Sequence, residues 1–267
     1  MLLYHLILVA VVQGVTEFLP VSSSGHLILI PSFTGLKDQG QAIDVAVHVG
    51  TLLAVILYFW SDMKLAFGGL PRLFVGRADT EGARLALLLL VSSVPVVAFG
   101  LILELTGLDA YLRSITVIGW SMLIFAAFLY WSDQIGETTR TQRDFSIQDA
   151  MVIGVWQAVA LIPGTSRSGI TITGARFLGY TRHDAAKLAM MMSVPTIVAS
   201  GVYLGGETLA QADMALLKDG AIAAFFAFIA ALLSLSVMMR LLRTVSFTPY
   251  VIYRVVFGIG LLAYAYS

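Results

Sequence analysis

Six stretches of this chain are long and apolar enough to cross a lipid bilayer, and they constrain the fold more than any other feature. A spanning helix needs about 20 mostly apolar residues. Only 12% of the residues are charged and the mean hydropathy is +0.89, so the apolar content exceeds what the core of a water-soluble domain requires. We predict an all-α integral membrane protein whose full transmembrane helices lie at about 42–60, 85–105, 114–131, 185–205, 219–239 and 250–266.

Two further apolar regions, about 1–30 and 148–178, are each interrupted by a polar cluster. The clusters are LPVSSSGH, which begins at Leu19, and IPGTSRSG, which begins at Ile162. The proline in each cluster disfavours helix at the preceding residue, which predicts a helix, a loop and a second short helix. Each half has about 8–13 apolar residues, too few to cross. We therefore predict two re-entrant helical hairpins whose loops are buried in protein at membrane depth.

The two broken regions resemble each other at a fixed offset of 144 residues. Six of sixteen positions are identical, and they include polar pairs such as Gln13 with Gln157 and Ser22 with Ser166. Because three crossings separate the hairpins, the second enters from the opposite face. We predict a single membrane domain, 1–267, built from an inverted-topology repeat with its site at the repeat interface. Repeat 1 covers about 1–131 and repeat 2 about 148–267.

The distribution of lysine and arginine predicts the orientation of the chain, since cytoplasmic loops are rich in both. Three basic residues, including Lys37 and Arg113, lie on the side of the amino terminus in the predicted topology. Twelve, including Arg176 and Arg254, lie on the other side, and Arg167 lies inside the second hairpin. The twelve-residue side is predicted to be cytoplasmic, which places both termini outside.

Net charge and cysteine content exclude some classes of function. The formal net charge is zero and there is no long basic tract, which argues against nucleic acid as a partner. The chain has no cysteine, so disulfides, thiol catalysis and thiolate metal sites are excluded.

The first hairpin carries an acid followed by a run of hydroxyls. Gln13 and Glu17 are four residues apart and share one face of a helix. A carboxylate at membrane depth is costly and usually functional. The run after it can bind an anion through backbone N–H groups and helix N-termini, and it offers a nucleophile or an acid/base group. This run consists of Ser22, Ser23, Ser24, Gly25 and His26.

The second hairpin adds a permanent positive charge, Arg167, whose planar guanidinium suits phosphate oxygens. Around it lie hydroxyls and glycines that let the backbone approach a ligand: Gly164, Thr165, Ser166, Ser168 and Gly169. A carboxylate together with phosphate oxygens is a natural Mg²⁺ or Ca²⁺ site. The pattern predicts a pyrophosphate held by Arg167 on one side and by a metal near Glu17 and Gln13 on the other.

Structural explanations compete with this prediction. A Ser/Gly break in a membrane helix is often a packing or kink site, and an acid with an arginine can be a structural ion pair. The coincidence of acid, imidazole, guanidinium and hydroxyls in two matched breaks favours a functional site. Asp44 and His48 lie at the start of the first full span. Their position favours capping of the membrane interface, with lining of the site as the alternative.

Two motifs make the chain resemble the bacterial undecaprenyl-pyrophosphate phosphatase, or bacitracin resistance protein, family. They are QGVTEFLPVSSSGH, from Gln13 to His26, and PGTSRSGIT, from Pro163 to Thr171. The resemblance implies a metal-dependent hydrolase that converts C55 undecaprenyl pyrophosphate to the monophosphate. The product is reused in peptidoglycan synthesis, hence in cell-wall biogenesis and cell shape, and the activity confers bacitracin resistance. It also implies location in the bacterial cytoplasmic membrane, an active site that opens outward, and a homodimer.

By position, the resemblance assigns Glu17 and Gln13 to the acidic motif and makes Ser23 and His26 the candidates for the chemistry. Arg167, with its neighbouring serines, is assigned to hold phosphate. Family members often have glutamate where this chain has Gln13. The amide leaves Glu17 as the only carboxylate of the motif, which puts a two-carboxylate metal site in doubt.

Several alternatives stay open at this point. Ser23 activated by His26 is our preferred nucleophile, but His26 itself, or a water for which His26 is the base, would also serve. The main rival function is a transporter or flippase for polyprenyl-phosphate lipids or small anions, because inverted repeats with broken helices are a transporter architecture. A purely structural membrane scaffold is a third interpretation.

Overall fold

A computed structural model of the chain describes residues 1–35, 38–112, 114–211 and 213–267. In this part of the chain there are thirteen α-helices and two short 3₁₀ turns, at Gln142–Asp144 and Val159–Leu161. In chain order the α-helices are α1 (Leu3–Thr16), α2 (Ser23–Leu27), α3 (Ile30–Thr34), α4 (Gln41–Tyr58), α5 (Trp60–Phe74), α6 (Glu81–Thr106), α7 (Asp109–Leu112), α8 (Ile115–Ile135), α9 (Ile147–Ala158), α10 (Arg167–Phe177), α11 (Arg182–Gln211), α12 (Met214–Leu241) and α13 (Thr248–Tyr266).

Six of the described helices are long and apolar enough to span a membrane: α4, α6, α8, α11, α12 and α13. They coincide with the six predicted crossings, so the prediction of an all-α membrane protein is confirmed. Helix α5 was not among the predicted elements. It carries Asp62, Lys64 and Arg72, and it packs against α6 where Gly69 lies close to the backbone of Gly82.

Both apolar regions that contain a proline break are interrupted as the sequence predicts. Helix α1 ends at Thr16, and Pro20 lies in the turn before α2. Helix α9 ends at Ala158, and Pro163 lies in the stretch before α10. Insertion of these segments from opposite faces of a membrane, as re-entrant hairpins, stays a prediction.

Helix α12 is the central packing partner of α1 and α4. Small residues allow the close approach: a Cβ on Gly50 would lie 2.1 Å from the carbonyl oxygen of Ala224, and one on Gly14 would lie 2.6 Å from that of Ala227. Small side chains at such contacts are the usual way in which membrane helices approach closely. This packing fixes α1, and with it the acidic motif, against the bundle.

Two arginines that the orientation argument counted as cytoplasmic charges are fully buried. Arg176 forms an ion pair with Asp133, and its guanidinium also donates to the backbone carbonyls of Gly136 and Tyr180. Arg254 lies within α13, away from any loop. Both side chains take internal partners and are therefore not loop charges. Lys37 and Arg113, two of the three basic residues assigned to the side of the amino terminus, lie outside the described residues.

Candidate active site

The two turns that precede α2 and α10 have the same local geometry. Ser22 has φ 72° and ψ 93°, and Ser166 has φ 70° and ψ 112°. They are the non-glycine residues with positive φ in the described chain. Each serine hydroxyl accepts a hydrogen bond from the backbone N–H three residues later, that of Gly25 at 3.4 Å and that of Gly169 at 3.2 Å. Strained backbone of this kind is concentrated at functional sites, so the matched pair marks these turns.

The turns bring together the acid and the guanidinium that the sequence placed in separate segments. A guanidinium nitrogen of Arg167, the first residue of α10, directly contacts the carboxylate of Glu17, which follows α1. Another Arg167 nitrogen donates to the carbonyl of Ser193 at 3.3 Å. The carboxylate of Glu17 is buried, so its charge is balanced by Arg167 rather than by water.

Glu17 is also the acceptor for two neutral side chains. Its Oε2 accepts from the Ser23 hydroxyl at 2.7 Å and from the Gln13 amide nitrogen at 2.8 Å. The Nε2 of His48 lies 3.9 Å from the same oxygen. The amide oxygen of Gln13 is fully buried and has no hydrogen-bond partner in the structure. Glu17 is therefore the centre of the site, and it polarises the Ser23 hydroxyl.

His26 faces away from Ser23. Its Nδ1 lies 2.7 Å from the carbonyl of Ser22 and its Nε2 lies 2.5 Å from the hydroxyl of Tyr253. Because a carbonyl can only accept, we infer that Nδ1 carries the proton and Nε2 accepts from the tyrosine. The ring stacks on Phe257 at a centroid distance of 4.6 Å. The preferred hypothesis that His26 activates Ser23 does not fit this arrangement, because Glu17 accepts the Ser23 hydrogen bond.

A cavity of about 610 Å³ opens beside this cluster. Asp44 and His48, for which the sequence favours capping of the membrane interface over lining of the site, line this cavity. Helix α4, which carries both residues, packs against α1. Gln39 donates from its amide to Asp44 at 2.8 Å, and its own amide oxygen is buried without a partner. The lining includes Gln13, Ser23, Ser24, Gln39, Asp44, His48 and Pro163.

The predicted phosphate-binding residues of the second turn lie in packed surroundings, and one of them, Ser168, bonds to the first turn. The Ser168 hydroxyl donates to the carbonyl of Leu19 in the first turn at 3.0 Å. Gly164 has φ 88°, and a Cβ there would lie 2.2 Å from the Ser121 hydroxyl oxygen. The Thr165 side chain is fully buried. From the second turn, the side chain that extends toward the acid is that of Arg167.

Arg254 is a residue of this region that the sequence analysis missed. Its guanidinium donates to the carbonyls of Thr165 at 2.8 Å, Gly164 at 3.0 Å and Pro20 at 3.3 Å, and its Nε donates to that of Met122 at 3.3 Å. An arginine seven residues into an apolar span is itself a signal of a functional position. The count of cytoplasmic charges treats Arg254 as a loop residue, whereas it lies inside α13.

Known proteins with the same sequence pattern identify the family. The sequence model of the family described as "Bacitracin resistance protein BacA" matches residues 6–260. A protein of Dinoroseobacter shibae (strain DSM 16493 / NCIMB 14021 / DFL 12) named undecaprenyl-diphosphatase is 67% identical over 267 residues, which are 100% of both chains. Proteins of the same name from Jannaschia sp. (strain CCS1) and Maricaulis maris (strain MCS10) are 63% and 44% identical, over 100% and 99% of both chains. With a match that extends from α1 to α13, the chain belongs to the bacitracin resistance protein BacA family.

Proposed function

We propose that this protein is an undecaprenyl-diphosphatase of the bacterial cytoplasmic membrane. It hydrolyses undecaprenyl pyrophosphate to undecaprenyl phosphate and inorganic phosphate, which returns the carrier lipid to peptidoglycan synthesis and confers resistance to bacitracin. The contact between Glu17 and Arg167, with Ser23 hydrogen-bonded to the same carboxylate, is the observation that carries the proposal. It combines a group that binds phosphate with a nucleophile and its base.

Arg167 binds the phosphate groups of the substrate. Its planar guanidinium can donate two parallel hydrogen bonds to phosphate oxygens. In the free protein one of its nitrogens is held by Glu17, so the diphosphate replaces the carboxylate as the partner of that nitrogen. The positive charge then stabilises the negative charge that develops on the transferred phosphoryl group.

Ser23 is the nucleophile and Glu17 is its base. The Ser23 oxygen attacks the terminal phosphorus while its proton moves to the carboxylate oxygen 2.7 Å away. The bond from that phosphorus to the bridging oxygen breaks, and undecaprenyl phosphate leaves with the electron pair. Water then attacks the phosphorus of the phosphoserine, and the bond from that phosphorus to the serine oxygen breaks. The proton on Glu17 returns to the serine oxygen, and the water oxygen leaves with both of its protons in inorganic phosphate, H₂PO₄⁻.

His26 positions the first turn of α2 in this mechanism and does not activate Ser23. Its two ring nitrogens are paired with Ser22 and Tyr253, so it holds the first turn of α2 and leaves the activation of Ser23 to Glu17. Trapping of a phosphoenzyme followed by peptide mapping tests this assignment. Phosphate on Ser23 supports it, whereas phosphate on His26, or no covalent intermediate at all, would overturn it.

The donor set around Glu17 fits Mg²⁺ or Ca²⁺, which bind oxygen ligands. The carboxylate of Glu17 and the unpartnered amide oxygen of Gln13 would hold the ion, and the partnerless amide oxygen of Gln39 borders the same cavity. Among the described residues no group of three or more His, Asp or Glu side chains is arranged to hold a metal, so substrate phosphate would complete the shell. The ion would neutralise phosphate charge during the reaction.

For the arrangement of the protein in the membrane we propose what the sequence predicts. We infer two re-entrant segments in an inverted-topology repeat within one membrane domain, both termini outside, an outward-opening site and a homodimer. The matched φ and ψ values of Ser22 and Ser166 support the repeat, because both serines have an uncommon positive φ at equivalent positions of the two turns. Cysteine accessibility at residues 2 and 267 in intact cells tests the position of the termini.

The decisive experiment measures inorganic phosphate released from C55 undecaprenyl pyrophosphate by the purified full-length protein in detergent. Rapid release that a chelator abolishes supports the proposed function. The transporter alternative predicts no release in detergent, where there is no membrane to cross, and this outcome would overturn the proposal.

A further inference from the structure

Arg254 connects the two turns of the site through a single guanidinium. One nitrogen donates to carbonyls on both turns, that of Pro20 in the first and that of Thr165 in the second. The other terminal nitrogen donates to Gly164. The planar fork of arginine can hold acceptors that lie in different directions, which the point charge of a lysine cannot do. Both turns are therefore hydrogen-bonded to the same side chain of α13.

The charge of Arg254 is buried without an acidic partner. Its side chain is 0% exposed, and the ion pairs of the described chain do not include it. Burial of an unpaired charge is costly, and packed apolar side chains usually stabilise a fold as well or better. Four backbone carbonyls offset part of the cost. The main effect of this buried charge is therefore to hold the four carbonyls in place, and its contribution to the stability of the fold is small.

The surroundings of Arg254 leave the turns little freedom to move. A Cβ on Gly169 would lie 3.2 Å from an Arg254 nitrogen and 3.3 Å from the Pro20 side chain. Ser168 adds a direct hydrogen bond between the turns. Displacement of the guanidinium therefore shifts both turns relative to each other.

We propose that Arg254 is a positioning residue for the phosphatase reaction: it sets the separation of the turns at which Glu17 and Arg167 act on the same diphosphate. This inference rests on the proposed function. Arg254 is not among the residues that line the cavity, so it acts through the turns. Misplacement of reacting groups by about 1 Å can cost about 100-fold in rate. Loss of the Arg254 guanidinium therefore lowers kcat and leaves KM nearly unchanged.

The test compares Arg254→Lys and Arg254→Met with the wild-type protein in the phosphate-release assay on the C55 diphosphate. We expect kcat to fall about 100-fold for the methionine variant and at least about 10-fold for the lysine variant, with KM within about 3-fold. Arg240→Met is the matched control, because Arg240 is an exposed arginine of α12, and its kcat stays at the wild-type value.

A distance measurement separates positioning from general destabilisation. The chain has no cysteine, so spin labels attached at Ile28→Cys and Leu161→Cys report only on the two broken segments. Pulsed electron paramagnetic resonance should give one narrow distance distribution with Arg254, and a shifted or broader one in both variants at unchanged helix content.

Three results would overturn the proposal: a lysine variant with wild-type kcat, a loss of kcat with an unchanged distance distribution, or an increase in KM that accounts for the loss. If the methionine variant does not fold, the lysine variant decides. If that variant also fails to fold, Arg254 is a structural residue and the proposal is wrong. A wild-type protein that releases no phosphate would instead overturn the proposed function.

Discussion

Glu17 and Arg167 are in direct contact although 150 residues separate them in the chain. The contact joins the turn after α1 to the start of α10, and it pairs the buried carboxylate of Glu17 with the partly buried guanidinium of Arg167. Either charge alone would be left without a counterion. The free protein therefore holds the guanidinium of Arg167 with the same carboxylate that accepts the Ser23 hydrogen bond.

Removal of the Glu17 charge tests the centre of the site. We expect Glu17→Gln to reduce kcat for phosphate release by about 100-fold or more, because the base for Ser23 is lost. Glu104→Gln, at the exposed end of α6, is the control and retains full activity. Near wild-type release by Glu17→Gln would show that the site is assigned to the wrong residues.

Removal of the hydrogen bond from Tyr253 to His26 should lower kcat less than removal of the Glu17 charge does. Tyr253→Phe removes the donor 2.5 Å from the histidine Nε2, and we expect kcat to fall by about 2- to 10-fold, the value of one hydrogen bond. In a His26→Ala background the same change has no further effect if Tyr253 acts only through the imidazole. Tyr130→Phe, on the exposed face of α8, is the control. Additive losses would contradict the coupling.

A second carboxylate beside Glu17 should strengthen cation binding. Gln13→Glu replaces the amide that donates to Glu17 at 2.8 Å by a like charge, which a divalent ion relieves. We expect the Mg²⁺ or Ca²⁺ concentration for half-maximal activity to fall by about 10-fold, because a ligand charge worth about 1.4 kcal/mol changes affinity tenfold. Metal titration of the chelator-treated protein measures it. An unchanged requirement would place the ion elsewhere.

The ion pairs of Asp133 with Arg176 and Arg182 give a test of stability. Its buried carboxylate lies 2.6 Å from Arg182 Nε and 3.4 Å from Arg176 Nε. Asp133→Asn leaves the buried Arg176 uncompensated, so we expect a loss of about 3 kcal/mol in the free energy of unfolding. Asp79→Asn breaks an exposed pair with Arg72 and costs at most about 1 kcal/mol. Thermal unfolding in detergent compares the two, and equal shifts would contradict the prediction.

Close packing of α4 against α12 gives a stability test with an internal control. Gly50→Ala places a Cβ 2.1 Å from the carbonyl oxygen of Ala224, and we expect the overpacking to cost about 1–3 kcal/mol. Gly260→Ala adds the same atom in α13 where nothing lies within 4 Å. Its thermal midpoint is expected to stay at or above that of the wild-type protein, and a lower midpoint than that of Gly50→Ala would refute the packing argument.

Local features of the sequence determined the fold class and the location of the candidate site. Runs of apolar residues set the six spans, since each must be about as long as the hydrocarbon core is thick. Pro20 and Pro163 set the two breaks, because proline restricts its own backbone and that of the preceding residue. Both properties depend on neighbouring residues alone. The side chains that could bind a ligand or take part in catalysis could therefore be found without knowledge of the tertiary structure.

Only the tertiary structure decided which of these side chains meet. Ser23 bonds Glu17 rather than His26, Arg254 joins the turns instead of facing a loop, and His48 borders the cavity. These contacts depend on how helices distant in sequence pack, and hydropathy specifies which faces are apolar but not which helices become neighbours. The partners of a buried charge are chosen by that packing, because the charge is stable only where carbonyls or an opposite charge surround it.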